Sequence, residues 1–361
     1  MQKEIYIQKN DKLVATMPFY VKKYYLDKST VPLSPSTLYQ YLNEFRRFFN
    51  WLIDTNITHA HQIKDISLAD LEHLSKEDLG LYKAFLLNRG KETSQNSRTT
   101  LSHRTVNRSL NALSALFRYL TVESETETGE PYFYRNVMKK ISLVPDSETL
   151  QTRAHNIKSQ LMLENDQQYL DFIWHSYAKK LTNKRQAKLF ERDWERDLAI
   201  NALMLGSGIR VSELTNANIK DLNFKQAQIT VLRKGGKQDL VPIANWVLKY
   251  IQPYLIIRNE RYQAATTPAL FVTKGSKGPR RISSATVELL VAKYSSAFNN
   301  IRITPHKLRH TLASKLYLET HNEHLVATQL GQTSTKATGL YTHIIDTEQK
   351  NALDQLNSDS D

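Results

Sequence analysis

The stretch T-P-H-K-L-R-H-T-L-A-S, residues 304–314, combines the start of a helix with side chains that bind anions. Thr304 can cap a helix, and Pro305 suits the first helical position, where a backbone N–H is not needed. His306 and Arg309 lie three residues apart, so both point from the same face of the first turn. Because the positive end of a helix attracts anions, this pair predicts an anion site, in the first place one for a phosphate.

The composition is typical of a soluble chain of two-domain size. Its 361 residues suffice for two ordinary domains, 40% of them are hydrophobic, and no run of eighteen apolar residues predicts a membrane span. The first ten residues lack the apolar segment of a secretory signal. The absence of cysteine excludes disulfides, thiolate metal sites and cysteine nucleophiles, and it fits a reducing compartment. We therefore expect a cytoplasmic protein.

The net charge of +13 indicates a polyanionic partner. The acidic residues of the first part gather late, at Glu123, Glu125, Glu127 and Glu130, so the positive charge lies in two bodies on either side of an acidic segment. Nucleic acid fits this distribution. A soluble basic enzyme without such a partner is the alternative that charge alone leaves open.

Helical periodicity dominates the first part of the chain, where apolar residues recur at helical spacing. Caps and a glycine stop mark the ends of these segments. Helices are predicted there over residues 34–53, 75–90 (ending at Gly90) and 102–120. The first part therefore predicts an all-helical domain.

The second part mixes helices with a few strands. A strong helix at 191–205 ends at G-S-G, and a β-hairpin of residues 228–233 and 238–243 carries two glycines at its turn. The other predicted elements are a short helix at 211–217, a strand at 269–273, and helices at 283–298 and from 305 onward. The predicted class is mainly α, with an α+β second domain that contains a small β-sheet or hairpin.

Polar residues separate the two parts. Residues 145–160 have no apolar period except at their ends, which predicts a flexible connection. We therefore predict a helical domain at 1–145, a linker at 146–162 and a second domain at 163–361.

Two further basic residues lie where a phosphate could be held. Arg210 follows the glycines of G-S-G-I-R-V-S-E-L, which allow the backbone to turn tightly beside a ligand, and Lys234 lies beside the tip of the predicted hairpin. Guanidiniums such as Arg210 and Arg309 can hold phosphate oxygens in fork geometry, and a lysine or histidine can protonate a leaving oxygen. Each residue alone also fits an ordinary surface or capping role, so the hypothesis depends on their combination.

Tyr341, in L-G-Q-T-S-T-K-A-T-G-L-Y-T-H-I (330–344), is one of 18 tyrosines and a candidate nucleophile. A phenol is a weak nucleophile at neutral pH and needs nearby cations to favour its phenolate. The predicted cluster of arginines, histidine and lysine supplies them. A phosphotyrosine link would conserve the energy of a broken phosphodiester.

Five motifs in order resemble those of the tyrosine recombinase (phage integrase) family: G-I-R-V-S-E-L, the hairpin lysine, H-K-L-R-H-T, L-G-Q and Y-T-H. They span about residues 205–345, and the N-terminal part is similar to that family's core-binding domain. The long N-terminal part, with M-P-F-Y-V-K-K-Y-Y (17–25) and Y-L-N-E-F-R-R-F-F-N-W-L-I (41–53), resembles the bacterial Xer type that works without a second recombinase.

The resemblance implies a role for each matched residue. Arg210 and Arg309 would clamp the scissile phosphate, and Lys234 would protonate the 5′ oxygen. His306 would assist proton transfer at Tyr341, which would attack and form a 3′-phosphotyrosine. The family implies no metal and no other cofactor.

Two further polar residues, Glu213 and Gln332, lie within these motifs. Under the same resemblance Glu213, in R-V-S-E-L, would buttress the site. Gln332 departs from the family, which usually has His at the third place of its L-G-x motif. A glutamine amide can donate a hydrogen bond to a phosphate oxygen but cannot carry a proton's charge. We expect a slower or differently tuned site; the alternative is that Gln332 is neutral and Lys234 does all the acid work.

The resemblance also implies a substrate and partners. The enzyme would cut, exchange and rejoin duplex DNA without net hydrolysis, with its two domains forming a clamp and four protomers assembling on two sites. The tail 349–357 would dock into a neighbouring protomer through Ala352, Leu353 and Leu356, although a frayed terminus fits equally well. We expect chromosome dimer resolution at cell division, with a septal DNA translocase as a further partner. An integrase of a mobile element and a non-catalytic DNA-binding protein are the alternatives, and the five motifs argue against the latter.

Overall fold

The computed structural model describes residues 2–30, 33–92, 98–146, 148–158, 161–233, 236–332 and 341. The chain divides into two compact units, Met1–Ser147 and Glu148–Asp361. Both are mainly helical, and their strands pair in small antiparallel sheets. Within these described ranges, none of the helices combines the length and apolar character that crossing a bilayer requires.

The first unit consists of helices and one small hairpin. Its elements are α1 (Gln2–Val14), α2 (Phe19–Thr30), α3 (Pro35–Asp54), α4 (Leu68–Glu72), α5 (Lys76–Asn88), β1 (Gly90–Glu92), β2 (Arg98–Thr100) and α6 (His103–Arg118). The three helices predicted in this part correspond to α3, α5 and α6. One end differs, because α5 stops at Asn88 and Gly90 begins β1 instead of closing the helix.

Aromatic side chains build the core of the first unit. Helix α3 begins at Ser34, whose side chain accepts a hydrogen bond from the Thr37 N–H, and it buries one strongly apolar face. On that face Phe45 meets the ring of Tyr24 edge-on at 5.4 Å between centroids, and Phe48 meets Tyr82 at 4.9 Å. Such edge-to-face pairs connect α3 to α2 and α5.

The second unit packs helices around two small sheets. Its elements are α7 (Leu150–Lys158), α8 (Asp166–Asp171), α9 (Lys184–Ser207), α10 (Val211–Asn216), β3 (Leu222–Asn223), β4 (Gln228–Leu232), β5 (Gln238–Pro242), α11 (Leu248–Tyr262), β6 (Val272–Gly275), β7 (Gly278–Arg281), α12 (Ser284–Asn299), α13 (Pro305–Thr320) and α14 (Glu323–Leu330). Strands β3, β4 and β5 form one antiparallel sheet, with Ile229 opposite Val241, and β6 pairs with β7. The predicted class, mainly α with a small antiparallel β component in the second part, is confirmed.

Three elements of the second unit differ from the sequence prediction. Most of the predicted linker forms α7, whose Ala154 is fully buried, so a flexible connection does not describe residues 150–158. Helix α9 begins at Lys184, seven residues before the predicted start, because Asn183 caps it. The strand expected at 269–273 is β6; the carbonyls of Ala269 and Leu270, which precede it, accept hydrogen bonds from the buried Arg258.

Helix α9 is the central element of this unit and leads directly to the site. Its second half is buried between α11 and α13. Arg196 lies in its interior, paired with Asp193 at 3.2 Å and with Asp197 at 2.6 Å, and the Tyr294 hydroxyl donates to Asp197 at 2.8 Å. These contacts satisfy the buried charges. The hydrogen bond from Tyr294 also anchors α9, the helix that leads to Gly208, against α12.

Candidate active site

Arg210 lies at the start of α10, directly after a tight turn. Helix α9 is capped at its end by Gly208, which has a φ of +66°, and an added Cβ there would meet Leu312 at 2.9 Å. Only glycine adopts this conformation without strain and fits the space. The turn leaves the Arg210 side chain 40% exposed, so it is accessible to a ligand.

Glu213 orients the Arg210 side chain through two hydrogen bonds. The Arg210 N–H donates to one Glu213 oxygen at 2.7 Å, and the guanidinium donates to the other at 2.8 Å. The Arg233 guanidinium donates to both oxygens from the opposite side, at 3.1 and 3.0 Å. Although burial opposes it, these hydrogen bonds and cationic charges hold the pKa of Glu213 below its ordinary value. The buttressing role expected of Glu213 thus has a geometric basis.

Arg309 joins the ends of two helices that are distant in sequence. Its buried guanidinium donates to the carbonyl of Gly208 and, at 2.6 Å, to that of Leu330. Arg210 donates to the adjacent carbonyl, that of Gly331, at 3.4 Å. The two guanidiniums predicted to clamp a phosphate therefore meet at neighbouring carbonyls. Burial, and then the charge of Arg210, lower the pKa of Arg309 to about 10, so it stays protonated at neutral pH.

Tyr341 is buried beside α13, with only 1% of its surface exposed. It belongs to an apolar cluster with Ala154, Ala313 and Leu330, among others. Its hydroxyl lies 2.8 Å from Nδ1 of His310. Burial raises the pKa of Tyr341 to about 12, and the charge of Arg309 opposes that rise. At neutral pH the side chain is therefore a phenol.

His306 lies one helical turn before His310. The two imidazole rings meet edge-on, with 4.3 Å between their centroids. Burial first, and nearby cations second, lower the pKa of His306 below its ordinary value. The structure thus places His306 behind His310, while His310 itself contacts the Tyr341 hydroxyl.

Gln332 follows the turn that ends α14. Its N–H donates to the carbonyl of Ala327 at 2.9 Å, which fixes the backbone beside Gly331. Its side-chain oxygen Oε1 is buried and has no hydrogen-bond partner among the described residues. A buried acceptor in that state can take a hydrogen bond from a donor supplied by a ligand or water.

Comparison with known proteins identifies the family. Residues 175–348 match the phage integrase family. Tyrosine recombinase XerS of Lactococcus lactis subsp. lactis (strain IL1403) is 49% identical over 358 residues, covering 99% of this chain and 100% of that protein. Tyrosine recombinase XerS of Streptococcus mutans serotype c (strain ATCC 700610 / UA159) is 48% identical with the same coverage. The chain belongs to the tyrosine recombinase family. It is an enzyme of site-specific DNA recombination, and these XerS relatives confirm its predicted likeness to the bacterial Xer type.

Solved tyrosine recombinases share the fold. XerH bound to a palindromic difH substrate, in a post-cleavage complex, superposes with a TM-score of 0.60 at 21% identity, covering 88% of this chain and 78% of that chain. A λ integrase (75–356) dimer bound to a COC′ core site gives 0.57 at 15% identity, covering 91% and 95%. These likenesses show the fold alone.

Within this recombinase the structure brings together most of the predicted site residues. Arg210 and Arg309 converge at the end of α14, and Gln332 follows directly. His306 and Tyr341 both lie against His310. Lys234 lies outside the described residues, as does the predicted docking tail. Metal-binding groups of three or more His, Cys, Asp or Glu residues are absent from the described part of the chain.

The sequence prediction did not include two residues that the structure places at the candidate site. Arg233 directly precedes Lys234, and its ion pairs with Glu213 and Asp239 form only in the tertiary structure. His310 follows Arg309 and lies at position i+4 from His306, a spacing that places both histidines on one helix face. That spacing was the available signal.

Proposed function

We propose that this recombinase cleaves one DNA strand at a time with Tyr341 and joins it through a 3′-phosphotyrosine. The supporting observation is the convergence of Arg210 and Arg309 on the consecutive carbonyls of Gly331 and Leu330. Leu330 lies in the same buried cluster as Tyr341. A phosphate held by the two guanidiniums would therefore lie close to the nucleophile.

The chemistry conserves the phosphodiester energy. The Tyr341 Oη–phosphorus bond forms as the phenol gives up its proton, a transfer in which His306 assists, while the bond from phosphorus to the 5′ oxygen breaks. Arg210 and Arg309 neutralise the charge on the non-bridging oxygens in the transition state. Lys234 donates a proton to the departing 5′ oxygen, and Gln332 donates a hydrogen bond to a phosphate oxygen. Attack by a 5′ hydroxyl of the partner strand reverses these steps.

The burial of Tyr341 sets a condition for this reaction. With 1% of its surface exposed, the side chain cannot meet a phosphate until DNA or a neighbouring protomer moves the elements around it. The phenol hydroxyl is held by one hydrogen bond to His310. Cleavage therefore requires a local rearrangement that exposes Oη while Arg210 and Arg309 remain in place.

The biological task that fits best is resolution of chromosome dimers in the cytoplasm at cell division. Near-complete coverage of XerS relatives supports it over the second candidate, integration of a mobile element, which uses the same chemistry. Four protomers would act on two duplex sites, held together by the tail at 349–357 and regulated by a septal DNA translocase. The net charge of +13 favours the duplex DNA partner.

Nicked suicide duplexes tiled from the host replication terminus test this proposal. The protein is incubated with each duplex and resolved on a denaturing gel. We expect a slow-migrating adduct on one duplex, mapped to Tyr341 by mass spectrometry. Tight, sequence-specific binding without an adduct contradicts the chemistry. Adducts only on ends of a mobile element contradict the chromosomal task and favour the second candidate.

Two tyrosine variants provide the control for this assay. Tyr341→Phe removes only the nucleophilic oxygen, so we expect normal DNA binding and no adduct. Tyr134→Phe removes a hydroxyl from an exposed side chain of the first unit and should form the adduct normally. Equal loss of binding and adduct in Tyr341→Phe contradicts the assignment of the nucleophile.

A further inference from the structure

His310 contacts the atom that must react. Its Nδ1 lies 2.8 Å from Oη of Tyr341, and the two ring centroids are 5.5 Å apart. This is within the range of a direct hydrogen bond between a phenol and an imidazole nitrogen. No other described side chain is seen to hydrogen-bond that hydroxyl.

The direction of this hydrogen bond follows from the two protonation states. Burial first, and then the neighbouring His306, Lys307 and Arg309, lower the pKa of His310 to about 3, so its ring is neutral at pH 7. Tyr341 is a phenol at that pH and carries a hydrogen on Oη. With the ring hydrogen assigned to Nε2, Nδ1 accepts the hydrogen bond from Oη.

A buried phenol needs a proton acceptor before it can attack phosphorus. The charge of Arg309 stabilises the phenolate but arginine cannot take the proton. His306 meets the His310 ring edge-on and is not seen to contact Oη. His310 is therefore the described residue in position to receive the proton directly.

We propose that His310 is a catalytic residue that orients Tyr341 and receives its proton during attack; this rests on the proposed role of Tyr341. As the Oη–phosphorus bond forms, the proton moves from Oη to Nδ1, and the 5′ oxygen departs with a proton from Lys234. When the strand is rejoined, the imidazolium returns its proton to Oη.

The bound DNA supplies the conditions under which His310 can act as a base. In the free protein three cationic or ionisable neighbours disfavour its protonated form. A scissile phosphate held by Arg210 and Arg309 would bring negative charge to the same place and favour an imidazolium there. The edge-on ring of His306 packs against the imidazolium and keeps it aligned.

Single-turnover cleavage of the suicide duplex tests this role. We expect His310→Ala to slow adduct formation by about 100-fold or more, with DNA affinity unchanged, because general-base catalysis typically contributes about 10²–10⁴-fold. His310→Asn keeps a hydrogen-bond acceptor on a short side chain but cannot hold the proton, so it should be slowed as well. His324→Ala, which removes an exposed histidine of α14, should cleave normally.

A second readout reports on the hydrogen bond itself. With 3-fluorotyrosine placed at position 341, the ¹⁹F resonance should move in His310→Ala and stay in place in His324→Ala. This measurement needs no DNA and shows whether each variant is folded around position 341.

The outcomes separate this inference from the proposed function. An adduct at Tyr341 that forms at the same rate in His310→Ala overturns the role of His310 and leaves the nucleophile intact. If His310→Asn cleaves normally while His310→Ala is slow, His310 only positions Tyr341, and the proposed proton transfer is overturned. Failure of the unmodified protein to form any adduct at Tyr341 overturns both.

Discussion

The guanidinium of Arg233 occupies the space beside Gly331 that a side chain would need. A Cβ atom added to Gly331 would overlap the guanidinium carbon and two of its nitrogens. The Arg233 side chain is held in this position, because its guanidinium donates hydrogen bonds to Glu213 and, from Nε at 2.9 Å, to Asp239. The absence of a side chain at 331 therefore lets the end of β4 pack against the turn after α14.

Gly331→Ala should destabilise the second unit and slow DNA cleavage. The position has a φ of +56°, which costs about 1 kcal/mol for a residue with a Cβ, and the overlap with Arg233 adds at least about 1 kcal/mol. Gly129→Ala is the matched control, since its φ is +82° and nothing lies within 4 Å of an added Cβ. Urea unfolding of both variants measures the difference. Equal losses of stability would show that Arg233 yields without cost.

Glu213→Gln should lower both stability and cleavage rate. It removes the carboxylate that lies between two guanidiniums and leaves the nearly buried Arg233 with Asp239 as its remaining carboxylate partner, so we expect a loss of up to about 3 kcal/mol, the lower end for breaking a buried pair. Glu195→Gln breaks a comparable pair with Arg261 in the same unit, away from the site. We expect both variants to unfold more easily and only Glu213→Gln to lose cleavage per folded molecule. Full cleavage by folded Glu213→Gln would rule out a role in orienting Arg210.

Stability of the second unit should fall as the pH drops below about 6.5. His306 and His310 have folded pKa values lowered from 6.5, so in this window the unfolded chain binds more protons than the folded one. Each such histidine's contribution to stability is fully present above pH 6.5 and is progressively lost below it, with a slope of at most about 1.4 kcal/mol per pH unit.

Urea unfolding between pH 7 and 5 measures this slope. His310→Asn should flatten it, whereas His324→Asn, at an exposed position, should leave it as in the unmodified protein. An unchanged slope in His310→Asn would mean that His310 titrates alike in the folded and unfolded chains.

Gln332→His should speed adduct formation by about tenfold. A histidine can donate to a phosphate oxygen with a full charge, and about 1.4 kcal/mol more transition-state stabilisation corresponds to that factor. Gln332→Asn keeps a neutral amide and should give no gain. Identical rates for the unmodified protein and Gln332→His would favour the alternative, in which residue 332 is neutral.

Lys234→Ala should slow cleavage of an ordinary phosphodiester by about 100-fold or more without weakening DNA binding. A duplex with sulfur in place of the 5′ oxygen needs no proton on its leaving group, so it should restore most of the rate. Lys237→Ala, at an exposed position in the same hairpin, is the control. If the sulfur substrate is slowed as much as the oxygen substrate, Lys234 is not the general acid.

Local patterns in the sequence were sufficient for much of the fold. Helices α3, α6 and α12 have apolar periods and serine caps, and the β4–β5 hairpin has its glycine turn, so short-range geometry specifies them. The same holds for His306 and Arg309, whose spacing places them together on α13 before any tertiary contact forms. By itself, then, the sequence determined these elements, the order of the motifs and most of the candidate residues.

Only the tertiary structure decided which of these groups touch. Arg309 reaches the Gly208 carbonyl 101 residues away, and Arg210 reaches that of Gly331 across 121 residues. It also placed His310, not His306, at the Tyr341 hydroxyl, and Arg233 against Gly331. The physical reason is that helical spacing restricts residues to a face, whereas the packing of distant helices selects which residue on that face meets its partner.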